Sequence, residues 1–220
     1  MTVRIAAAQY PIDAIASWET YADKLARWTE EAAGNGAALL LFPEYGAMEL
    51  ARMFAPEVWS DLRQSIDFVG GLRGKIDALH AELAERHQVY IVAASLPERD
   101  EDGGAHNIAR IVSPKGVVGA QRKIIMTRFE RERWHIEGGR EITVFDTRVG
   151  RLGIAICYDA EFPLIVRAMC EAGATAILVP SCTDSLHGYA RVRVAAQARA
   201  LENQCYVVQS PTVGEAPWSP

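Results

Sequence analysis

The sequence has no apolar run approaching the roughly 20 residues that a membrane-spanning helix needs. Its opening segment, Met1 to Gln9, lacks both the basic flank and the long apolar core of a secretory signal. A cytoplasmic protein with no membrane partner is expected. Excess basic charge is also missing: the formal net charge is -5, which leaves no electrostatic footprint for nucleic acid or anionic lipid. The four cysteines, at 157, 170, 182 and 205, form no CxxC pair and share no zinc-type spacing with the five histidines. A disulfide framework is not expected without a secretory signal, and no metal or other cofactor is implied. No repeat, low-complexity tract or linker interrupts the chain. Half of its residues are hydrophobic and 23% are charged, which excludes a disordered chain. At 220 residues it can bury one sizeable core, so 1–220 reads as a single domain.

Apolar strands alternate with amphipathic helices. Val3 to Gln9 reads as an opening strand. Ser17 caps a helix whose Trp18, Tyr21, Leu25 and Trp28 share one face, and Gly34-Asn35-Gly36 ends it. The continuous run Ala37 to Phe42 fits a strand buried on both faces. Residues 46 to 60 read as irregular. One helix is expected through Phe68, Leu72, Ile76, Leu79 and Leu83, with His80 and His87 on its solvated side. Val89 to Leu96 reads as one strand. Hairpins are expected around Ser113-Pro114-Lys115-Gly116 and Arg148-Val149-Gly150. A helix from about Phe162 to Ala172, a strand over Thr175 to Val179, a helix from about Gly188 to Asn203 and a strand over Cys205 to Gln209 complete an α/β pattern.

Three reactive side chains share one setting, the end of an apolar strand, where α/β sheets present catalytic groups. Glu44 follows Leu39 to Pro43, Lys123 follows Val117 to Arg122, and Cys157 follows Leu152 to Ile156. Singly, each has an ordinary reading: a solvated loop acid, a surface lysine, a buried apolar thiol. Together their chemistry is complementary. A helix N-terminus after Cys157 and a nearby ammonium both favour the thiolate. A carboxylate can take the thiol proton and later activate water. Lys123 and the Tyr158 N–H can hold an oxyanion.

Phe42-Pro43-Glu44, Arg122-Lys123 and Cys157-Tyr158-Asp159 resemble, in order and spacing, the three signature blocks of the nitrilase superfamily of carbon–nitrogen hydrolases. The opening strand ending in Ala8-Gln9 and the segment Arg199-Ala200-Leu201-Glu202-Asn203 are also similar to that family. The resemblance spans essentially the whole chain. It implies a four-layer α-β-β-α sandwich and a triad of Glu44 as general base, Lys123 as stabiliser and Cys157 as nucleophile. It also implies a second glutamate between Lys123 and Cys157. Glu130, in Glu130-Arg131 followed by Trp134, fits that role better than its competitor Glu132. Family members usually continue for several dozen residues past the position matching Pro220, so the expectation is that either this sequence is incomplete or the domain lacks its closing elements. A homodimer or higher homo-oligomer is implied as well.

The implied activity is hydrolysis of a small amide or carbamoyl compound through a cysteine thioester, releasing ammonia or an amine. The Cys157-Tyr158-Asp159 block leans toward amide-hydrolysing branches. Nitrile hydrolysis and acyl transfer to an amine are the alternatives, and an idle scaffold retaining the fold is a fourth. Around the triad, Tyr45, Trp134 and Tyr158 are candidates for an aromatic wall, with packing in the core as the alternative. Cys182 and Asp184, in the loop after the next strand, are candidates to touch substrate. Arg191, Arg193, Arg199 and Glu202 form either a solvated helix face or an inter-subunit ion-pair network.

Overall fold

The computed structural model describes residues 2–215, a succession of short strands and helices. The first half runs β1 (Ile5–Ala7), β2 (Tyr10–Pro11), α1 (Trp18–Gly34), β3 (Leu39–Leu41), a 3-10 segment Gly46–Met53, α2 (Pro56–Trp59), α3 (Leu62–Gly70), α4 (Arg73–His87), β4 (Tyr90–Val92) and β5 (Leu96–Arg99). The second half runs β6 (Ala105–Ser113), β7 (Gly116–Arg122), a single π turn Glu130–Trp134, β8 (Val144–Thr147), β9 (Gly150–Ile154), a 3-10 turn Cys157–Glu161, α5 (Pro163–Glu171), β10 (Ala176–Ser181), α6 (Leu186–Asn203) and β11 (Tyr206–Val213).

Two sheets result. The first has the order β1-β3-β4-β6-β5, with β7 also paired to β6; the second has the order β2-β11-β10-β9-β8. Alternate side chains of a strand point to opposite faces, and this divides the apolar residues of the first sheet between two cores. Leu39, Leu41, Tyr90, Val92, Ala109 and Ile111 join Phe145, Leu152 and Ile154 of the second sheet in a core between the sheets. Leu40, Ile91 and Val112 instead meet Tyr21 and Leu25 of α1 and Ile76 and Leu83 of α4. On the far side α5 and α6 contribute Val166, Met169 and Val192. There α5 packs so closely that a Cβ on Gly153 would lie 2.8 Å from Met169 Sδ. The layers are therefore α-β-β-α, the sandwich expected from the sequence.

Several local expectations hold. The Ser17 side chain accepts from Thr20 N–H at 3.2 Å and caps α1, and both hairpins form where the turn residues place them. Others need correction. The opening strand is shorter than expected, with only Ile5–Ala7 pairing with β3, and a separate strand, Tyr10–Pro11, crosses to pair with β11. The expected single helix over 68–83 is two, α3 and α4, broken at Gly70-Gly71 because glycine weakens a helix interior. Phe68 is exposed, and His80, expected on the solvated side, is only 1% exposed. Val89 to Leu96 is two strands, with 93–95 leaving the ladder between them. Residues 46–60 are largely helical, and Lys24 of α1 anchors the 3-10 segment through Glu49 Oε2 at 2.7 Å. The chain end at which the sequence or the domain was expected to be incomplete extends into 216–220, outside the described residues.

Candidate active site

Glu44, Lys123, Cys157 and Cys182 each lie just beyond the C-terminal end of a strand, namely β3, β7, β9 and β10. The first two strands belong to one sheet and the last two to the other, so the cluster forms across the seam between them. Each approach is held by backbone bonds. Phe42 N–H donates to Val92 O at 3.0 Å and Ser95 N–H to Pro43 O at 3.2 Å, extending the β3–β4 ladder to the door of Glu44. Lys123 N–H donates to Asn107 O at 2.9 Å, and its carbonyl accepts from Gly139 N–H at 2.7 Å. Any side chain at Gly138 would place its Cβ 2.5 Å from Ile124 O, so only glycine lets this loop lie against the Lys123 strand end. Cys157 opens its 3-10 turn with φ 48, a left-handed conformation that costs a non-glycine residue on the order of 1–3 kcal/mol.

Lys123 Nζ donates to Glu44 Oε1 at 2.7 Å and to Glu130 Oε1 and Oε2 at 2.8 and 2.7 Å. Glu44 Oε1 also accepts from Asn107 Nδ2 at 3.0 Å, and its Oε2 accepts from the Cys182 N–H at 3.0 Å. Oε1 thus has two donors and Oε2 one, leaving Oε2 the freer oxygen to take a proton. The Cys157 thiol lies beside Glu44 and donates to Cys182 O at 3.5 Å. Glu130 is fixed further by Thr127 N–H and Oγ1, both at 2.8 Å, and by the Tyr45 hydroxyl at 2.6 Å. All four central side chains are nearly sealed from solvent: Glu44 and Lys123 at 1% exposure, Glu130 at 3% and Cys157 at 4%.

Burial in low dielectric sets the electrostatics, and neighbouring charges then sort the groups. Burial opposes the Lys123 charge, yet Glu44 and Glu130 outweigh it and hold the ammonium above its ordinary range. Burial would also raise Glu130, but the Lys123 ammonium prevails and keeps it below the usual carboxylate range. Glu44 is different. Burial raises it, Lys123 pulls it down, Glu130 pushes it up again, and the net direction is upward. Cys157 is driven well above the ordinary thiol range by burial first and Glu44 second, with Lys123 opposing. Lys123 favours the thiolate as expected, but burial and Glu44 outweigh it. The helix after Cys157 is one 3-10 turn, too short for a substantial dipole, and the resting pair is a thiol beside a carboxylate of raised proton affinity.

The other sequence candidates fall into place around this cluster. Glu130 meets Lys123, whereas Glu132 is exposed and pairs with Arg128 and Arg131. Tyr45 stacks on Trp134 with ring centroids 4.7 Å apart, and the Trp134 indole N–H donates to Leu62 O at 2.8 Å. Tyr158, half-buried, packs edge-on against Phe162 at 4.9 Å. Cys182 reaches Glu44 and Cys157 through its backbone, and burial pushes its own thiol up to about 12. Asp184 is not drawn into the cluster: it is exposed, and its carboxylate bonds Ser185 Oγ at 3.1 Å. Arg199 is buried rather than solvated, donating to Ala160 O at 3.1 Å and pairing with Glu202. Arg191, half-exposed, pairs with Glu161 at 2.9 Å. Asn107, Asp159 and the Cys182 N–H were not singled out in the sequence for any role, and Asn107, directly after His106, breaks no apolar run that would have marked it. Among the described residues no group of three or more His, Cys, Asp or Glu side chains is arranged to hold a metal ion.

A model of the carbon–nitrogen hydrolase family matches residues 4–217. The "Probable hydrolase YhcX" of Bacillus subtilis is 35% identical over 98% of this chain and 41% of its own length. A deaminated glutathione amidase of Yersinia enterocolitica is 32% identical over 60% of this chain and 50% of its own. The chain thus spans about half or less of the length of these curated relatives. A crystal structure of a carbon–nitrogen hydrolase from Helicobacter pylori shares the fold with a TM-score of 0.77, covering 96% of this chain and 73% of that one at 22% identity. The chain belongs to the carbon–nitrogen hydrolase family, within the nitrilase superfamily.

Proposed function

We propose that this chain is the hydrolytic domain of an amidase, cleaving a small amide or carbamoyl compound through a thioester on Cys157. The observation that carries the reading is the single buried contact set in which Glu44 stands between the Lys123 ammonium and the Cys157 thiol. In the first step the thiol proton passes to Glu44 Oε2 while sulfur attacks the substrate carbonyl carbon. Charge develops on the carbonyl oxygen, where Lys123 Nζ and the Tyr158 N–H stabilise it; removing one such donor typically costs about 10²–10³ in turnover. Glu44 returns the proton to the departing nitrogen, the C–N bond breaks, and ammonia or an amine leaves the thioester. Water then attacks the thioester with Glu44 taking its proton, the C–S bond breaks, and the proton returns to sulfur as the acid is released.

Glu130 has a separate role in this scheme. It keeps Lys123 charged and oriented during the moments when Glu44 carries a proton and no longer balances the ammonium. The amidase names among the relatives support an amide as substrate class. The reading takes 1–220 as one catalytic domain, since both sheets contribute groups to the cluster. It includes a homo-oligomer, supported by Leu186, Val194 and Leu201 on α6, which are 86%, 64% and 82% exposed. An ammonia-release screen over small amides, carbamoyl amino acids and nitriles tests the reading, with Cys157→Ala as control. Release from amides that disappears in Cys157→Ala is expected. Turnover of nitriles alone, or activity surviving Cys157→Ala, would overturn it.

A further inference from the structure

Asp159 is 1% exposed and stands two residues beyond Cys157, outside the proton-transfer chain described above. Its carboxylate bonds three backbone amides. Oδ1 accepts from Ile125 N–H at 2.8 Å and Ile124 N–H at 3.1 Å; Oδ2 accepts from Ile124 N–H at 3.2 Å and Ile156 N–H at 3.2 Å. Ile124 directly follows Lys123, and Ile156 directly precedes Cys157. The two flanking strands, β7 and β9, lie in different sheets and share no ladder, so strand pairing cannot set the spacing between Lys123 and Cys157. The Asp159 carboxylate bridges the two strand ends directly, bonding the residue after Lys123 and the residue before Cys157. Its own N–H also donates to Ile156 O at 3.0 Å, so Asp159 brackets the turn in which Cys157 takes its left-handed conformation.

We infer that Asp159 is a positioning residue that locks the Lys123 strand end to the Cys157 turn, and thereby sets the approach of ammonium, carboxylate and thiol. The inference rests on the hydrolase reading for its consequence and on the three amide bonds for its geometry. Burial raises this carboxyl to about 7 even with those N–H groups in place. The fold therefore retains an ionisable side chain where a neutral one would be easier to bury. Displacement of a catalytic group by about 1 Å costs on the order of 10²-fold in rate, so a joint between two sheets is a sensitive place for such a lock.

The test is the rate at which iodoacetamide alkylates Cys157 in the wild type and in Asp159→Asn, followed by peptide mass spectrometry. The asparagine keeps one acceptor oxygen and turns an N–H donor toward an amide donor, breaking half of the lock. Alkylation slowed by at least about tenfold in a protein that still melts cooperatively is expected. Leu83→Ala, which opens a gap in the remote core beneath α4, serves as the comparison. It is expected to lower thermal stability and leave alkylation within about twofold of wild type. Alkylation of Asp159→Asn within that same range would overturn the inference. Should Asp159→Asn not fold, hydrogen exchange on the wild type decides: slow exchange at Ile124, Ile125 and Ile156 supports the lock, and exchange as fast as in exposed loops refutes it. If the wild type releases no ammonia or amine from any compound in the screen, the hydrolase reading fails while the exchange result still judges the lock.

Discussion

Replacing Glu130 by glutamine removes one negative charge from the buried cluster with almost no change of shape. Both Glu44 and Glu130 bond the same lysine nitrogen, so their carboxylates lie about 5 Å apart. At an effective dielectric near 20, two unit charges at that distance repel by about 3 kcal/mol. That repulsion is one of the reasons Glu44 holds a proton more strongly than an ordinary glutamate. Without it, and with Lys123 committed to Glu44 alone, Glu44 becomes a weaker base. The sign of the pH effect follows. Glu44 must be ionised to accept the thiol proton, so activity falls as pH drops through its raised pKa, and lowering that pKa moves the acid limb to lower pH. Ammonia release from an amide found in the screen, measured from pH 4 to 9, is expected to show two changes in Glu130→Gln: a plateau lower by about 10–10²-fold and an acid limb displaced downward. Glu132→Gln, altering an exposed acid paired with surface arginines, is expected to behave as wild type. An unchanged plateau and limb in Glu130→Gln would refute the role given to the second carboxylate.

Two further outcomes follow from residues away from the triad. Burial lowers His80 from 6.5 to about 4, so the unfolded chain takes up the proton first as pH falls. Stability from the neutral buried ring is complete above pH 6.5 and is lost between there and about 4, amounting to about 3 kcal/mol. Urea titrations across that window should show the loss in wild type and a flatter profile in His80→Leu; equal profiles would contradict the burial of a neutral ring. Val194→Asp, placing a charge in the exposed apolar stripe of α6, is expected to reduce the mass by light scattering from an oligomer to a monomer, and an unchanged mass would remove that face from the interface.

The meeting of Glu44, Lys123 and Cys157 was legible in the sequence because each follows an apolar strand, and a strand's end is fixed by the same residues that form it. The uninterrupted run Ala37 to Phe42 showed only that its strand is covered on both faces, and the four-layer order came from the resemblance to the nitrilase superfamily. What escaped was anything decided through space. The apolar spacing of Phe68, Leu72, Ile76, Leu79 and Leu83 continues smoothly through Gly70-Gly71, so periodicity alone conceals the break between α3 and α4. His80 is polar at a position facing Phe42, and its ring satisfies one nitrogen through Ile76 O at 2.8 Å, a compensation without any sequence signature. Asn107 and Asp159 act through partners 63 and about 35 residues away along the chain. The net balance at Cys157 was not legible, because charge partners can be guessed from motifs, whereas the depth of burial that outweighs them cannot.

The central claim is a covalent acyl-enzyme on Cys157, and it is tested most directly by trapping it. The protein is mixed with an excess of an amide found in the screen, quenched in acid within the first turnovers, digested and mapped by mass spectrometry. The account predicts the peptide containing Cys157 heavier by the mass of the substrate less ammonia or amine, and no such adduct in Cys157→Ala. Steady turnover with no adduct under conditions that preserve thioesters, or an adduct on Cys170, Cys182 or Cys205 in its place, would contradict it.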